Sequence, residues 1–547
     1  MAEGTFDKIR SDMLVKWMTI PFGILVISCA GACYNLFAYW QQIGAAQGYE
    51  KNTLSLIKYV VLFGYYVGII PGYLYRAIGD AFSFVLAAVM AIISFTVLGF
   101  LATSDDSGTI HWVLMMIFLF TGAMSGGIAT IGAIVIPVKS FPKESGLLII
   151  VIMLAYYKIA PYLEFSFRTA FLDDPDLKFY FAGVGVFIAS AFILAGIVIR
   201  EVTLGDALEG VIDNVDKMAL LAYMLLALIF FAAFFVAGLI YENWLIGCIL
   251  FMSAIVLNFF AVGAAFGFVY NKAKGSHAKA LSSASNRSED KRDQHNFEEM
   301  LQKGKYHALV WSSMIVIGTT STYSFNIFQT SFAYGQIDNA DNFLDTYWAA
   351  DMVGRIGGGL LAFFLYQELK QNFFQYSVFA AIIACLGFGL VLLTESIGAP
   401  VMYVATWMIG WAAGLFWVIV PVIVMEDAGE KNFGLNWGLS LFANFLGMLI
   451  FGEFFDAIYE WKGDGNICSG LHCVLIQYIL FGLLCLLAAG LCYYALSMDM
   501  GAANVHRGGP KKIEKKKTEK SPKKEKPKSK SKSKSKKPAS KKVRRGK

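Results

Sequence analysis

The chain has 547 residues, 57% hydrophobic and 16% charged, against roughly 45–50% and about 25% for an ordinary soluble domain. That balance excludes a body whose main solvent is water. The formal net charge of +6 conceals two opposite parts: 21 of the 46 Lys and Arg, but only 3 of the 40 acids, follow residue 500, so a body of net −12 carries a tail of net +18.

Crossing a hydrocarbon core about 30 Å thick takes about 20 apolar residues, and fourteen stretches of that kind run along the chain. Residues 1–17 are polar and the apolar run that follows is too long for a cleavable signal peptide, so it reads as a retained first span. Spans are predicted at 18–39, 53–75, 81–102, 110–137, 146–169 and 179–199, making a first bundle over 18–200. Two additional spans at 218–240 and 244–270 fill 201–270, and a polar, Ser-rich linker occupies 271–306. Six more follow at 307–330, 344–366, 373–394, 399–425, 433–459 and 473–496, a second bundle over 307–496. From 497 the chain becomes a Lys-rich tail whose Lys-Ser alternation, Lys511 to Lys547, has almost nothing to bury and is predicted to be disordered. The fold class read from this order is an all-α polytopic membrane protein: two six-helix bundles plus two extra helices.

Positive residues resist translocation, and Lys8, Arg10, Lys16, Arg76, Lys139, Lys143, Arg200, Lys217, Lys370, Lys431, the linker and the tail all fall on one side. Both termini are therefore predicted to be cytoplasmic, at the plasma membrane or at an organelle membrane. A tail so placed suits anionic inner-leaflet lipids, at about 1 kcal/mol per basic residue, in preference to nucleic acid.

The outer sets of six spans look like copies. At an offset of 288, Gly122, Gly126, Lys143 and Gly146 superimpose on Gly410, Gly414, Lys431 and Gly434; at 289 Tyr34 meets Tyr323; at 290 Gly64 and Gly68 meet Gly354 and Gly358. Such a repeat is the parallel two-half arrangement of the major facilitator superfamily, with the solute site at mid-bilayer between halves.

Ionisable residues inside spans are functional candidates by default. Segment ten reads Asp351-Met-Val-Gly-Arg355-Ile-Gly-Gly-Gly, opposite charges four residues apart on one helical face. One reading is a neutral structural pair. The other has Arg355 hold a solute carboxylate while Asp351 takes up a proton. Segment five carries Lys158, Pro161, Glu164 and Arg168; Lys158 is a candidate anion partner, Glu164 a second proton-coupling candidate, and Arg168 is expected to snorkel. Lys58 sits near the opposite surface and is a weaker candidate. Segment one contributes Tyr34, Asn35 and Gln41, and segment nine a run from Thr319 through Tyr323 and Asn326 to Gln329. In lipid these polar groups would be unsatisfied, so they either bond across helices or line a solute path; of these, Tyr34, Asn35, Tyr323 and Asn326 are taken as solute-binding candidates. Cys468 and Cys473, in the last exoplasmic loop, are predicted to form a disulfide, with His472 a bystander. The eight cysteines and six histidines show no metal-ligand spacing and no nucleophile with its base, so no metal, no cofactor and no enzymatic activity are expected.

Two stretches resemble the nodulin-like family of the major facilitator superfamily. The first is Gly31-Ala-Cys-Tyr34-Asn-Leu-Phe37-Ala-Tyr39 with Gly48-Tyr49, Leu54, Gly64, Gly68 and Gly72; the second is Phe416-Trp417, Pro421, Glu426, Lys431-Asn-Phe-Gly434, Asp456 and Cys468-Ser-Gly-Leu-His-Cys473. The middle pair of spans and the tail lie outside this likeness, and segment five departs from the pattern. The Asp351-Met-Val-Gly-Arg355 string is similar to a helix of monocarboxylate transporters, which implies proton and carboxylate roles for those two residues; the first-helix motif of those transporters is not evident, so lactate-like specificity does not carry over. The expectation is a secondary transporter of a small organic anion with protons. Another solute (amino acid, sugar, iron or haem) and a transporter-derived sensor stay open.

Overall fold

The computed structural model describes residues 2–46, 48–104, 108–141, 143–157, 177–202, most of 216–226, 256–264, 295–369, 372–429, 432–463 and 468–508. All regular structure among them is helical. The first bundle comprises α1 (Ala2–Ala46), α2 (Lys51–Tyr66), α3 (Ile69–Ile78), α4 (Asp80–Ala102), α5 (Thr109–Ser140), α6 (Lys143–Tyr156) and α7 (Leu177–Val198). The second comprises α8 (Gly304–Phe325), α9 (Ile327–Ala333), α10 (Ala340–Val353), α11 (Gly359–Leu369), α12 (Phe373–Leu392), α13 (Ala399–Ala428), α14 (Phe433–Lys462) and α15 (Leu475–Gly508). Helical pieces at 216–223 and 256–264 fall in the two middle spans.

Ten helices among the described residues are long and apolar enough to cross a membrane, fewer than the fourteen read from hydropathy. Helix α8 falls short because Ser, Thr and Tyr dilute its apolar residues, and Ser145–Tyr156 is a shorter apolar helix. The chain is a multi-pass integral membrane protein. Two predicted spans are broken: α2 and α3 share one span interrupted at Val67–Gly68, and α10 runs into α11 through a π-helical turn over Gly354–Gly358.

Corresponding helices make corresponding contacts. In the first bundle α5 packs on α1, α2 and α4; in the second α13 packs on α8, α10 and α12. The repeat explains why. A Cβ on Gly64 of α2 would lie 2.4 Å from the Phe120 carbonyl oxygen of α5, and one on Gly354, its copy, 2.3 Å from the Trp411 oxygen of α13. Small residues let helices approach in this way where there is no hydrophobic drive between them.

The bundles meet where α2 and α3 run beside α14, and where α6 runs beside α11 and α13. At the first seam a Cβ on Gly438 would stand 2.3 Å from the Gly68 oxygen, backbone nearly on backbone. The end of the molecule that carries Lys139, Glu426 and Asp499 is called the near face below, and the end with Lys51 and Cys468 the far face. The tail beyond Gly508 and most of the linker lie outside the described residues.

Candidate functional site

Asp351 lies in the last turn of α10, and Arg355 stands in the π turn that follows. Single π turns recur at functional sites. Here the backbone is pinned to α13, because a Cβ on Gly414 would fall 1.8 Å from the Asp351 carbonyl oxygen. Arg355 donates from Nε to Asp351 Oδ1 at 2.7 Å and from Nη2 to Oδ2 at 3.4 Å. Both side chains are 1% exposed. Nη1 donates at 3.1 Å to the carbonyl oxygen of Leu154 on α6. The arginine therefore ties the second bundle to the first through one guanidinium.

Aromatic rings surround this pair. The guanidinium carbon lies 5.8 Å from the Tyr157 ring centre and 5.4 Å from that of Trp417, within cation–π range. Trp417 of α13 stacks on Tyr66 of α2 at 5.7 Å, a second contact between bundles. Tyr34 meets Tyr65, Tyr66 and Tyr157 edge-on at 5.5, 5.8 and 6.0 Å. Tyr65 and Thr130 share a hydroxyl–hydroxyl bond of 2.7 Å. Between them is a small cavity lined by Arg355, Leu154 and Tyr157, by Tyr65, Tyr66, Gly127 and Thr130, and by Trp417, Trp437 and Leu441. The bundles touch on both sides of it. Toward the far face Ser55 donates to Glu453 at 3.2 Å and Phe37 meets Phe325 at 5.8 Å; toward the near face stands the Gly68–Gly438 seam. Lys58 is buried at the far side, its ammonium over the Tyr59 and Phe325 rings.

The predicted site residues divide. Asp351 and Arg355 are together at the cavity, and Tyr34 packs directly behind its tyrosines, within electrostatic reach of both charges. Asn35, next to Tyr34 and partly buried, is not part of the lining. Tyr323 points into the second bundle, its hydroxyl 2.5 Å from Thr406 Oγ1 and its ring against Tyr347, Phe388 and Tyr478. Asn326 bonds back to the Thr322 carbonyl at 3.0 Å at the end of α8. The hydroxyl run of α8 largely closes on its own helix, as Thr319 does on Ile315 and Thr320 on Val316. Ser and Thr in apolar helices satisfy themselves this way, so Tyr323 and Asn326 stand away from the cavity. Lys158 and Glu164 lie outside the described residues. The lining tyrosines and tryptophans were missed. The repeat register held one signal: Tyr65 stands at the position that Arg355 takes in the second half, at offset 290.

Two peripheral clusters complete the frame. At the far face Cys468 and Cys473 are joined in a disulfide, with His472 Nε2 3.8 and 3.7 Å from the two sulfurs; the loop is pinned by a Gly470 N–H bond of 2.7 Å to the Ala333 oxygen. At the near face Lys305 bridges Asp427 at 2.5 Å and Asp499 at 3.0 Å, clamping α8, α13 and α15. Burial pulls the Lys305 ammonium down, but Asp427 and then Asp499 outweigh it and hold it above its ordinary 10.5.

Two family profiles cover most of the chain. "Nodulin-like" matches residues 16–264, and "NFD4, C-terminal domain" matches residues 298–499. The chain belongs to the nodulin-like family. Among curated relatives, a protein described as probable transporter MCH1 of Yarrowia lipolytica is 28% identical over 114 residues, which span 19% of this chain and 24% of that protein. Among solved structures, the proton:xylose symporter XylE of E. coli bound to 6-bromo-6-deoxy-D-glucose superimposes with a TM-score of 0.50 at 12% identity, covering 90% of this chain and 96% of that one. A double-tryptophan XylE mutant gives 0.50 at 13% identity over the same shares. At that identity the likeness speaks for the fold, and this nodulin-like chain has the fold of the major facilitator superfamily.

Proposed function

We propose that this nodulin-like protein is a secondary transporter that moves a small organic anion together with a proton, by alternating exposure of the cavity between its bundles. One observation carries the reading: Arg355, buried, lines the cavity while bonded at once to Asp351 and, across the bundle boundary, to Leu154. With Asp351 ionised the pair is neutral, and the arginine is held to both bundles. A proton on the Asp351 carboxylate removes its charge and frees the guanidinium fork for a solute carboxylate. The loaded site is again neutral, carrying one proton and one anion, so neither state moves an uncompensated charge through low dielectric. Tyr34 supports the tyrosines around the fork, and Lys158 and Glu164 follow Tyr157 in the same predicted span as further candidates.

In this reading the near face is cytoplasmic, with the polybasic tail against anionic lipids, and the disulfide faces the oxidising side of the plasma membrane. Purified protein in proteoliposomes is offered labelled carboxylates, amino acids, sugars and iron complexes, with and without a pH gradient. Carboxylate uptake driven by an inward proton gradient, abolished in Arg355→Ala at equal expression, is the expected result. Full uptake by that variant refutes the anion site. Removal of residues 505–547 leaves flux intact in a transporter and silences a sensor that signals through the tail.

A further inference from the structure

We infer that the solute is an aromatic carboxylate, a flat ring system bearing one carboxylate, and that Tyr157 and Trp417 set this specificity. The inference rests on the anion-transport reading above and goes further by naming the solute class. Five of the ten lining residues are aromatic: Tyr65, Tyr66, Tyr157, Trp417 and Trp437. The guanidinium carbon lies 5.8 and 5.4 Å from the Tyr157 and Trp417 ring centres. A carboxylate that reaches Arg355 therefore stands beside both rings, and whatever it carries is left in a cavity whose other aromatic walls are Tyr65, Tyr66 and Trp437. Ring-to-ring contacts add selectivity beyond the burial of apolar area.

The polar inventory favours a carboxylate over the competing classes. Thr130 Oγ1 is engaged by Tyr65 and the Leu154 oxygen by Arg355. What remains is the Tyr66 and Tyr157 hydroxyls, the Trp417 and Trp437 indole N–H groups, and the two of five guanidinium N–H groups not committed to Asp351 or Leu154. Those suffice for one carboxylate. Apart from the tyrosine hydroxyls these groups only donate, which suits a carboxylate; sugar hydroxyls, each of which also needs an acceptor, would leave protons unmatched in a buried site. A bare metal ion finds no His, Cys or carboxylate among the described lining residues; the Cys-His-Cys group of the far-face loop has both sulfurs in a disulfide. A three-carbon acid would reach the arginine but leave the aromatic lining without a partner.

Phenylpyruvate and pyruvate share the same α-keto acid head and differ by one ring. Full-length protein in proteoliposomes with an inward proton gradient is offered each in labelled form, together with D-xylose; flux in Arg355→Ala liposomes is subtracted as background. The expected result is uptake efficiency for phenylpyruvate at least ten-fold above pyruvate, with no xylose flux. In Trp417→Leu the ratio falls to about three-fold or less; Trp417→Phe, which keeps a ring and guards against misfolding, retains most of it. Tyr157→Phe lowers uptake of both acids about ten-fold. Arg355-dependent uptake of pyruvate equal to phenylpyruvate, or a ratio unmoved in Trp417→Leu, overturns the aromatic specificity and leaves the anion transporter standing. Xylose flux, or no carboxylate flux at all, overturns both.

Discussion

Replacing Asp351 with Asn isolates the pair on which the proposed cycle turns. The variant keeps the shape of the side chain but leaves the Arg355 charge without its counter-ion in a site 1% exposed. At the Nε–Oδ1 separation of 2.7 Å and an effective dielectric of about 20, the Coulomb attraction lost is roughly 6 kcal/mol. Loss of one partner of a buried pair ordinarily destabilises by about 3–5 kcal/mol, since some attraction is recovered by hydrogen bonding and relaxation. Asp351→Asn and Arg355→Gln should each fall in that range. The double variant, which buries no charge, should return to within about 2 kcal/mol of the parent and give a coupling energy above about 3 kcal/mol. Reversible unfolding in mixed micelles, followed by tryptophan fluorescence, measures all four corners of the cycle. In parallel, uptake by Asp351→Asn should lose its response to a pH gradient. Single variants within 1 kcal/mol of the parent and additive in the double would mean that the pair is neither buried nor coupled, and the proton–anion exchange would fall with it.

Gly438→Leu drives a side chain into Gly68, whose oxygen a Cβ already meets at 2.3 Å; it should hold the α2–α14 seam apart and reduce uptake at least ten-fold, with cysteine cross-linking across the seam reporting the separation. Lys16 and Asp216 form a second buried pair at 2.7 Å, 1% and 0% exposed; Lys16→Met should destabilise by about 3–5 kcal/mol, and Lys16→Met with Asp216→Leu should recover most of that. Tyr323→Phe removes a hydroxyl bonded to Thr406 at 2.5 Å, so unfolding should show a loss of about 1 kcal/mol with transport near the parent level; a selective change in solute preference would put Tyr323 back at the cavity.

The larger architecture was legible because it follows from two strong constraints, span length and internal repetition. Gly64 and Gly354, matched at offset 290, occupy equivalent seams against α5 and α13. Asp351 and Arg355 were legible for the same kind of reason: charge within a span demands a partner, and spacing named it. The α8 hydroxyls misled, since a sequence reports that Thr319 is polar but not that the Ile315 carbonyl already accepts its hydrogen. Aromatic lining was illegible for the opposite reason. In a chain that is 15% aromatic, nothing local separates Trp417, which faces the arginine, from Trp17, which packs edge-on against Phe141. Breaks within spans also escaped: the π turn at Gly354–Gly358 lies where α13 packs against the helix, a contact between segments that hydropathy along one span does not report.

The described residues of the middle pair of spans contact α6, the helix next to the site. Asn258 accepts from the Tyr156 hydroxyl at 3.2 Å, and its carbonyl accepts from Tyr223, so one residue joins both middle segments to α6. Phe259 meets Phe22 of α1 at 5.3 Å, and Lys16–Asp216 fastens the same pair at the near face. Tyr156 is two residues from Leu154, the carbonyl that Arg355 holds, and one from Tyr157. The described residues of these segments thus brace the helix that carries the first bundle's share of the arginine site, and none of them is among the cavity's lining. The Lys305 ammonium of the near-face clamp does not itself supply acid sensitivity: it is raised, so the stability it contributes is complete below about pH 10.5 and lost only as pH rises through the higher folded value. Asn258→Ala should therefore lower maximal uptake several-fold while leaving both the pH dependence and the phenylpyruvate-to-pyruvate ratio as in the parent. Uptake over a range of substrate concentrations, at pH 5.5 and 7.5, separates the outcomes: a changed ratio would place the middle pair at the solute, and an unchanged rate would make it packing alone.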